Sequence, residues 1–145
     1  MQLTRYTDYG LRTLIYLALL PKGQRASIDE ISRTYDISRN NVNKIVHQLG
    51  KAGIIETKRG KGGGFYLKQA PKTLNIGELV LLLENTLQVV ECKTPECRIL
   101  PACKLKGILG EATQAFIDSL KAYTLADLLE NESDSLIQIL NIPVS

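Results

Sequence analysis

Cys92, Cys97 and Cys103 are the three cysteines of the 145-residue chain, and all lie within the segment CKTPECRILPAC at 92–103. Thiolates are soft ligands, and three of them on one short segment can converge on a single soft metal centre, leaving one position to be filled from elsewhere. An odd number cannot close a complete set of disulfides within the chain. Structural zinc would usually want four Cys or His ligands, and here only a carboxylate is left to join the three cysteines. A reversible disulfide is a second alternative, since Lys93, Arg98 and Lys104 stand nearby and favour thiolate. Inert burial fits less well, because Pro95, Glu96 and Pro101 mark an exposed loop rather than a core helix. Donor softness favours an iron-sulfur cluster; on the residues alone, zinc and a thiol switch stay open.

No second set of residues suggests turnover. A reaction site needs convergent acid or base groups in a pocket, and no such constellation or cofactor-binding fingerprint stands out, so the chain is expected not to be an enzyme. An electron carrier built on the same cluster is the reading from another class. The glycine-rich segment RGKGGG at 59–64 is not a phosphate-binding loop, because no Gly-Lys-Ser/Thr opens a helix there.

The elements that must position the cysteines can be read from periodicity. Residues 8 to 20 show Leu11, Leu14, Ile15, Ala18 and Leu19 on one helical face, ended by Pro21 and Gly23. Ser27 with Glu30 predicts a capping box that opens a helix running to about Tyr35. Ser38 then caps a helix with Val42, Ile45, Val46 and Leu49 inward, ending near Gly50 or Gly53. Two short helices joined at Asp36-Ile37 make a helix-turn-helix. The second displays Arg39, Asn40, Asn41, Asn43, Lys44 and His47 outward, residue types that reach bases and phosphates. A β-hairpin follows, with strands at 54–57 and 65–67 around a tip carrying four glycines and Lys58, Arg59 and Lys61; this is the wing of a winged helix.

Beyond Pro71 a helix is expected over 75–84 with Ile76, Leu79, Val80 and Leu83 inward. A long helix from about Pro101 to Tyr123 carries Leu105, Ile108, Leu109, Ala112, Phe116 and Leu120 on one stripe, and Thr124 with Asp127 caps a terminal helix. The long stripe has little of its own chain to pack against, so a second copy is expected to cover it. The fold class is therefore mainly α with a small β-hairpin wing, divided into a winged helix-turn-helix over 1–70 and a cluster-binding loop with dimerisation helices over 71–145.

Charge divides along the same line. Residues 1–68 carry 12 Lys and Arg against 5 Asp and Glu, a net of +7, whereas residues 69–145 carry 6 against 10, a net of −4. Such asymmetry suggests a basic half that meets a polyanion and an acidic half with another task, while ordinary solvated charge is the alternative reading. The longest apolar run, Leu79–Leu83, is far shorter than the roughly 20 residues of a membrane span. With no small-residue cleavage site after the early apolar run, a cytoplasmic protein is expected.

Three segments, LTRYTDYGLRTLIYLA at 3–18, RGKGGGFYL at 59–67 and CKTPECRILPAC at 92–103, together resemble the NsrR/IscR group of bacterial winged-helix regulators. The C-x4-C-x5-C spacing and the following KLKGILGEATQAF and YTLADLL are most similar to the nitric-oxide-sensing repressors of that group. The resemblance implies a homodimer that binds a palindromic double-stranded DNA operator. Ser38, Arg39, Asn40, Asn41 and Lys44 would present to the major groove, Arg59 with Gly60 and Lys61 to the minor groove, and Arg12 and Thr7 would lie near the DNA backbone. It implies further that Cys92, Cys97 and Cys103 hold a cluster, 4Fe-4S in preference to 2Fe-2S, with Asp8 of the opposite subunit as fourth ligand and nitric oxide as the signal. Two-iron members can use a histidine just beyond the third cysteine, whereas the one histidine here is His47, which excludes that arrangement. Asp8 is equally a first-turn carboxylate favoured by the helix dipole, and both roles are compatible. Gly10 stands where the group usually has Ala, and Gly62 adds a glycine to the wing.

Overall fold

A computed structural model describes residues 2–143. Its first helix, α1 (Arg5–Leu19), begins three residues before the start that apolar periodicity predicts. The reason is a cap rather than a hydrophobic stripe: the Thr4 side chain accepts from the Thr7 backbone N–H at 3.3 Å. α2 (Ile28–Tyr35) is capped by Ser27, whose Oγ accepts from the Glu30 N–H at 3.1 Å. The Glu30 carboxylate does not complete the expected capping box. It accepts instead from Tyr16 Oη at 3.1 Å and ties α2 to α1.

Asp36 takes a left-handed conformation, φ 53° and ψ 52°, which ends α2 and turns the chain into α3 (Arg39–Lys51). Ser38 caps α3 by accepting from the Asn41 N–H at 3.1 Å. Strands β1 (Ile55–Lys58) and β2 (Gly64–Leu67) pair antiparallel, Ile55 opposite Leu67 and Lys58 opposite Gly64. Ala26 extends this hairpin by one bridge, exchanging two 2.9 Å hydrogen bonds with Phe65. The chain is thus mainly helical with a two-stranded wing, as the sequence predicts.

α4 (Ile76–Leu83) follows a short 3₁₀ turn at Pro71–Thr73, and its N-cap Asn75 accepts from the Glu78 N–H at 3.1 Å. The cysteine segment then leads through a second 3₁₀ turn, Leu100–Ala102, to α5 (Leu105–Leu120). Pro101 sits in that turn, and the long helix starts at Leu105, four residues later than expected. After α6 (Leu125–Leu129) comes α7 (Ser133–Leu140), a helix that the sequence reading did not separate from the terminal segment. Leu136, Ile137 and Leu140 of α7 pack on the core, and Ile142 beyond it is buried.

α1 is the axis of the molecule, touching α3, α4, α6, α7 and β2. The core gathers Leu14 and Leu17 from α1, Ile31, Ile45 and Leu49 from the helix-turn-helix, and Leu79, Leu83 and Leu125 from the following helices. It runs without a break across residue 70. Among the described residues no helix is long and apolar enough to cross a membrane.

Candidate nucleic-acid interface and cysteine loop

Ser38, Arg39, Asn40, Asn41, Asn43, Lys44 and His47 all lie exposed along one face of α3, opposite the buried Val42, Ile45, Val46 and Leu49. Arg39 Nε reaches Asp29 Oδ1 at 3.0 Å, an exposed pair of small energetic weight that leaves the guanidinium at the surface. Lys58, Arg59, Gly60 and Lys61 are exposed at the wing tip. Gly60 and Gly62 have φ of 94° and 75°, and a Cβ on Gly63 would stand 2.4 Å from the Lys58 carbonyl oxygen, so the tip needs glycine. A cleft of about 770 Å³ runs between α3 and the wing, lined among others by Asn43, His47, Lys51, Lys58 and Arg59. Its basic rim is suited to a phosphate backbone.

The cysteine loop hangs between α4 and α5. All three thiols are free and partly exposed. The backbone links them in series: Cys97 N–H donates to Cys92 O at 3.0 Å, Leu100 N–H to Cys97 O at 3.1 Å, and Cys103 N–H to Leu100 O at 3.4 Å. Glu91 accepts from the Lys93 and Thr94 N–H groups at 2.7 and 3.3 Å. These amides hold its carboxyl below the usual range. Three uncommitted soft donors on one loop, flanked by Lys93, Arg98 and Lys104 that would offset negative charge, fit an iron-sulfur cluster by donor chemistry. Among the described residues no three His, Cys, Asp or Glu side chains converge on one point.

The remaining expected residues sit on α1. Asp8 and Arg12 form a bidentate pair one helical turn apart, with Arg12 Nε to Oδ1 at 2.9 Å and Nη2 to Oδ2 at 2.8 Å. Both are about half exposed. Thr7 is 0 % exposed and its hydroxyl donates to the Glu84 carboxylate. That side chain is turned into the protein and committed to Glu84 rather than to the surface.

Two residues tie the end of α4, from which the loop leaves, to α1 and α3, and periodicity does not single out either. Glu84, the C-cap of α4 and the root of the cysteine loop, accepts from the Thr4 N–H at 3.2 Å as well as from the Thr4 and Thr7 hydroxyls. Gln48 of α3 accepts from Tyr6 Oη and donates through Nε2 to the Leu82 carbonyl at 2.8 Å. The last turn of α4 is therefore pinned to α1 and to α3 at once.

Residues 3–131 match the Rrf2 family, described as an iron-dependent transcriptional regulator. The chain is 48 % identical over 137 residues to the HTH-type transcriptional regulator NsrR of Shouchella clausii, covering 92 % of each protein. It is 47 % identical over 137 residues to the NsrR of Halalkalibacterium halodurans, covering 92 % of this chain and 94 % of that protein. Among solved structures it is similar to T. potens IscR, with a TM-score of 0.72 over 93 % of this chain and 90 % of that one; at 21 % identity this is a likeness of fold.

Proposed function

The chain belongs to the Rrf2 family of transcriptional regulators, and on that premise we propose that it is a cytoplasmic, homodimeric repressor that releases a palindromic operator in response to nitric oxide. Cys92, Cys97 and Cys103 would hold an iron-sulfur cluster, 4Fe-4S in preference to 2Fe-2S, with Asp8 of the partner subunit completing the ligand set. When bound, such a cluster supplies iron that nitric oxide can attack, the more so where one ligand is a weakly held carboxylate.

The observation that carries this reading is the double tether of α4. The cysteine loop leaves α4 immediately after Glu84 and Leu82 are fixed to α1 and α3, so a change in the loop strains the elements that face DNA. Asp8 adds a second connection. A carboxylate drawn away as a ligand no longer holds Arg12, whose guanidinium is then free to meet a phosphate. Ser38, Arg39, Asn40, Asn41 and Lys44 read the major groove, and Arg59, Gly60 and Lys61 follow the minor groove. A dimer places the two recognition helices about one DNA turn apart.

The test is operator binding by anaerobically purified wild-type and Asp8→Ala chains at stated salt, with absorbance spectra and iron and sulfide analysis, before and after nitric oxide. The wild type is expected to lose affinity by about 10- to 100-fold on exposure, the range of ordinary allosteric coupling. Asp8→Ala should respond more weakly. Unchanged affinity and an unchanged response in Asp8→Ala would remove the cross-subunit link. A wild-type chain that carries the cluster but prefers no DNA sequence would point to an electron carrier instead.

A further inference from the structure

The wing presents a physical problem. A two-stranded hairpin alone is marginally stable in water, and a tip with four glycines has little stiffness of its own. Yet Arg59 must be held at a defined height to enter a groove. Arg25, in the segment before α2, meets the tip from the side. Its Nη1 donates to the Gly62 carbonyl at 3.0 Å, and its guanidinium lies 5.9 Å from the centre of the Tyr66 ring. Tyr66 in turn donates its hydroxyl to Glu56 on the opposite strand at 2.5 Å. At Gly64 the backbone passes so close that an added Cβ would stand 3.1 Å from Arg25 Cβ. Arg25 takes part in none of the ion pairs among the described residues. Its planar group is thus committed to a carbonyl at the tip and to an aromatic face at the base.

We propose that Arg25 is the positioning residue of the wing, which presets the tip so that Arg59 meets DNA in a fixed orientation, and that it does so without contacting a phosphate itself. This rests on the reading of the chain as a DNA-binding regulator. A flexible tip must be ordered on binding, and a preset one escapes that cost. Lysine cannot replace arginine here, because an ammonium lacks the flat face and the forked donors that serve ring and carbonyl together.

The experiment compares full-length wild type with Arg25→Ala, Arg25→Lys, Tyr66→Leu and Arg59→Ala in one cluster state. The probe is the DNA sequence that the wild-type chain selects from a random duplex pool, and affinity is read over a salt series. Both Arg25 variants should bind about 10-fold more weakly with the wild-type salt slope, whereas Arg59→Ala should lower that slope by about one, as loss of a phosphate contact does. Tyr66→Leu keeps every charge and should reproduce the Arg25→Ala loss, with the two losses not adding in the double variant. Rescue by Arg25→Lys, a slope lowered by about one in Arg25→Ala, or wild-type affinity in either Arg25→Ala or Tyr66→Leu overturns the proposal. If the wild type itself selects no sequence, the DNA-binding reading falls and this one falls with it.

Discussion

Glu84 joins the end of α4 to the start of α1 at the root of the cysteine loop. Its carboxylate accepts from the Thr4 N–H and from the hydroxyls of Thr4 and the fully buried Thr7. Glu84→Ala strands the Thr7 hydroxyl without its partner, at a cost of about 1–3 kcal/mol, and the melting temperature should drop by several degrees. Glu84→Gln keeps an acceptor and should lose less; equal melting of all three chains would show that the contact carries no weight. Tyr35 supplies a separate test. Burial pushes its phenol up to about 12, while the nearby Arg12 charge pulls the other way and Tyr16 adds to the rise. Because the folded state holds this proton more tightly than the unfolded chain, the stabilisation is complete below pH 10 and is lost as pH climbs from 10 to 12. Denaturant unfolding across that window should fall less steeply for Tyr35→Phe than for wild type, and parallel curves would contradict it. At this scale the outward residues of α3 and the three cysteines were legible, since type and spacing mark them. Thr7 and Glu84 were not, because a hydrogen bond across 77 residues leaves no local pattern.

The helices and wing came out of the sequence where caps and apolar periodicity coincide, as at Ser38 with Val42, Ile45 and Leu49. They came out less well where one of those signals was missing. The Ser27 cap formed while Glu30 turned to Tyr16, a partner one helix away that no capping rule anticipates. α7 carries its apolar residues behind the polar stretch Glu130–Ser135, and its need for burial shows only once α1 is in place. Glycines test the packing between elements. At Gly77 of α4 an added Cβ would lie 2.4 Å from Lys121 Cγ, 3.0 Å from Lys121 N and 3.1 Å from the Ile117 carbonyl. Gly77→Ala gains up to about 1 kcal/mol of helix propensity but overpacks against backbone, so a net loss of about 1–2 kcal/mol is expected. Gly50→Ala in the last turn of α3, where the Cβ meets open space, should be neutral or stabilising. Chemical denaturation reads both. Two equal shifts would mean that α4 and α5 are not packed as tightly as the geometry requires.

Across the whole molecule, the stripe that the sequence assigns to a second copy remains largely uncovered in a single chain. Leu105 and Ile108 are 54 % and 59 % exposed, and Ile117 is the one buried residue of α5. A 16-residue helix that leaves its apolar residues in water gives up the burial that would stabilise it, at about 25 cal/mol for each Å². Two copies related by a twofold axis would bury the same stripe on both sides and set the spacing of two recognition helices in one step. Ile108→Glu places a charge on that surface without touching the core, so the chain should still fold, with a melting temperature below that of the dimeric wild type and independent of concentration. Sedimentation should show wild type as a dimer and Ile108→Glu as a monomer. Operator affinity should then fall by at least about 100-fold, because a single half-site forfeits the gain from linked binding. A variant that stays dimeric and binds like wild type would move the interface off α5, and the spacing of the half-sites would need another origin.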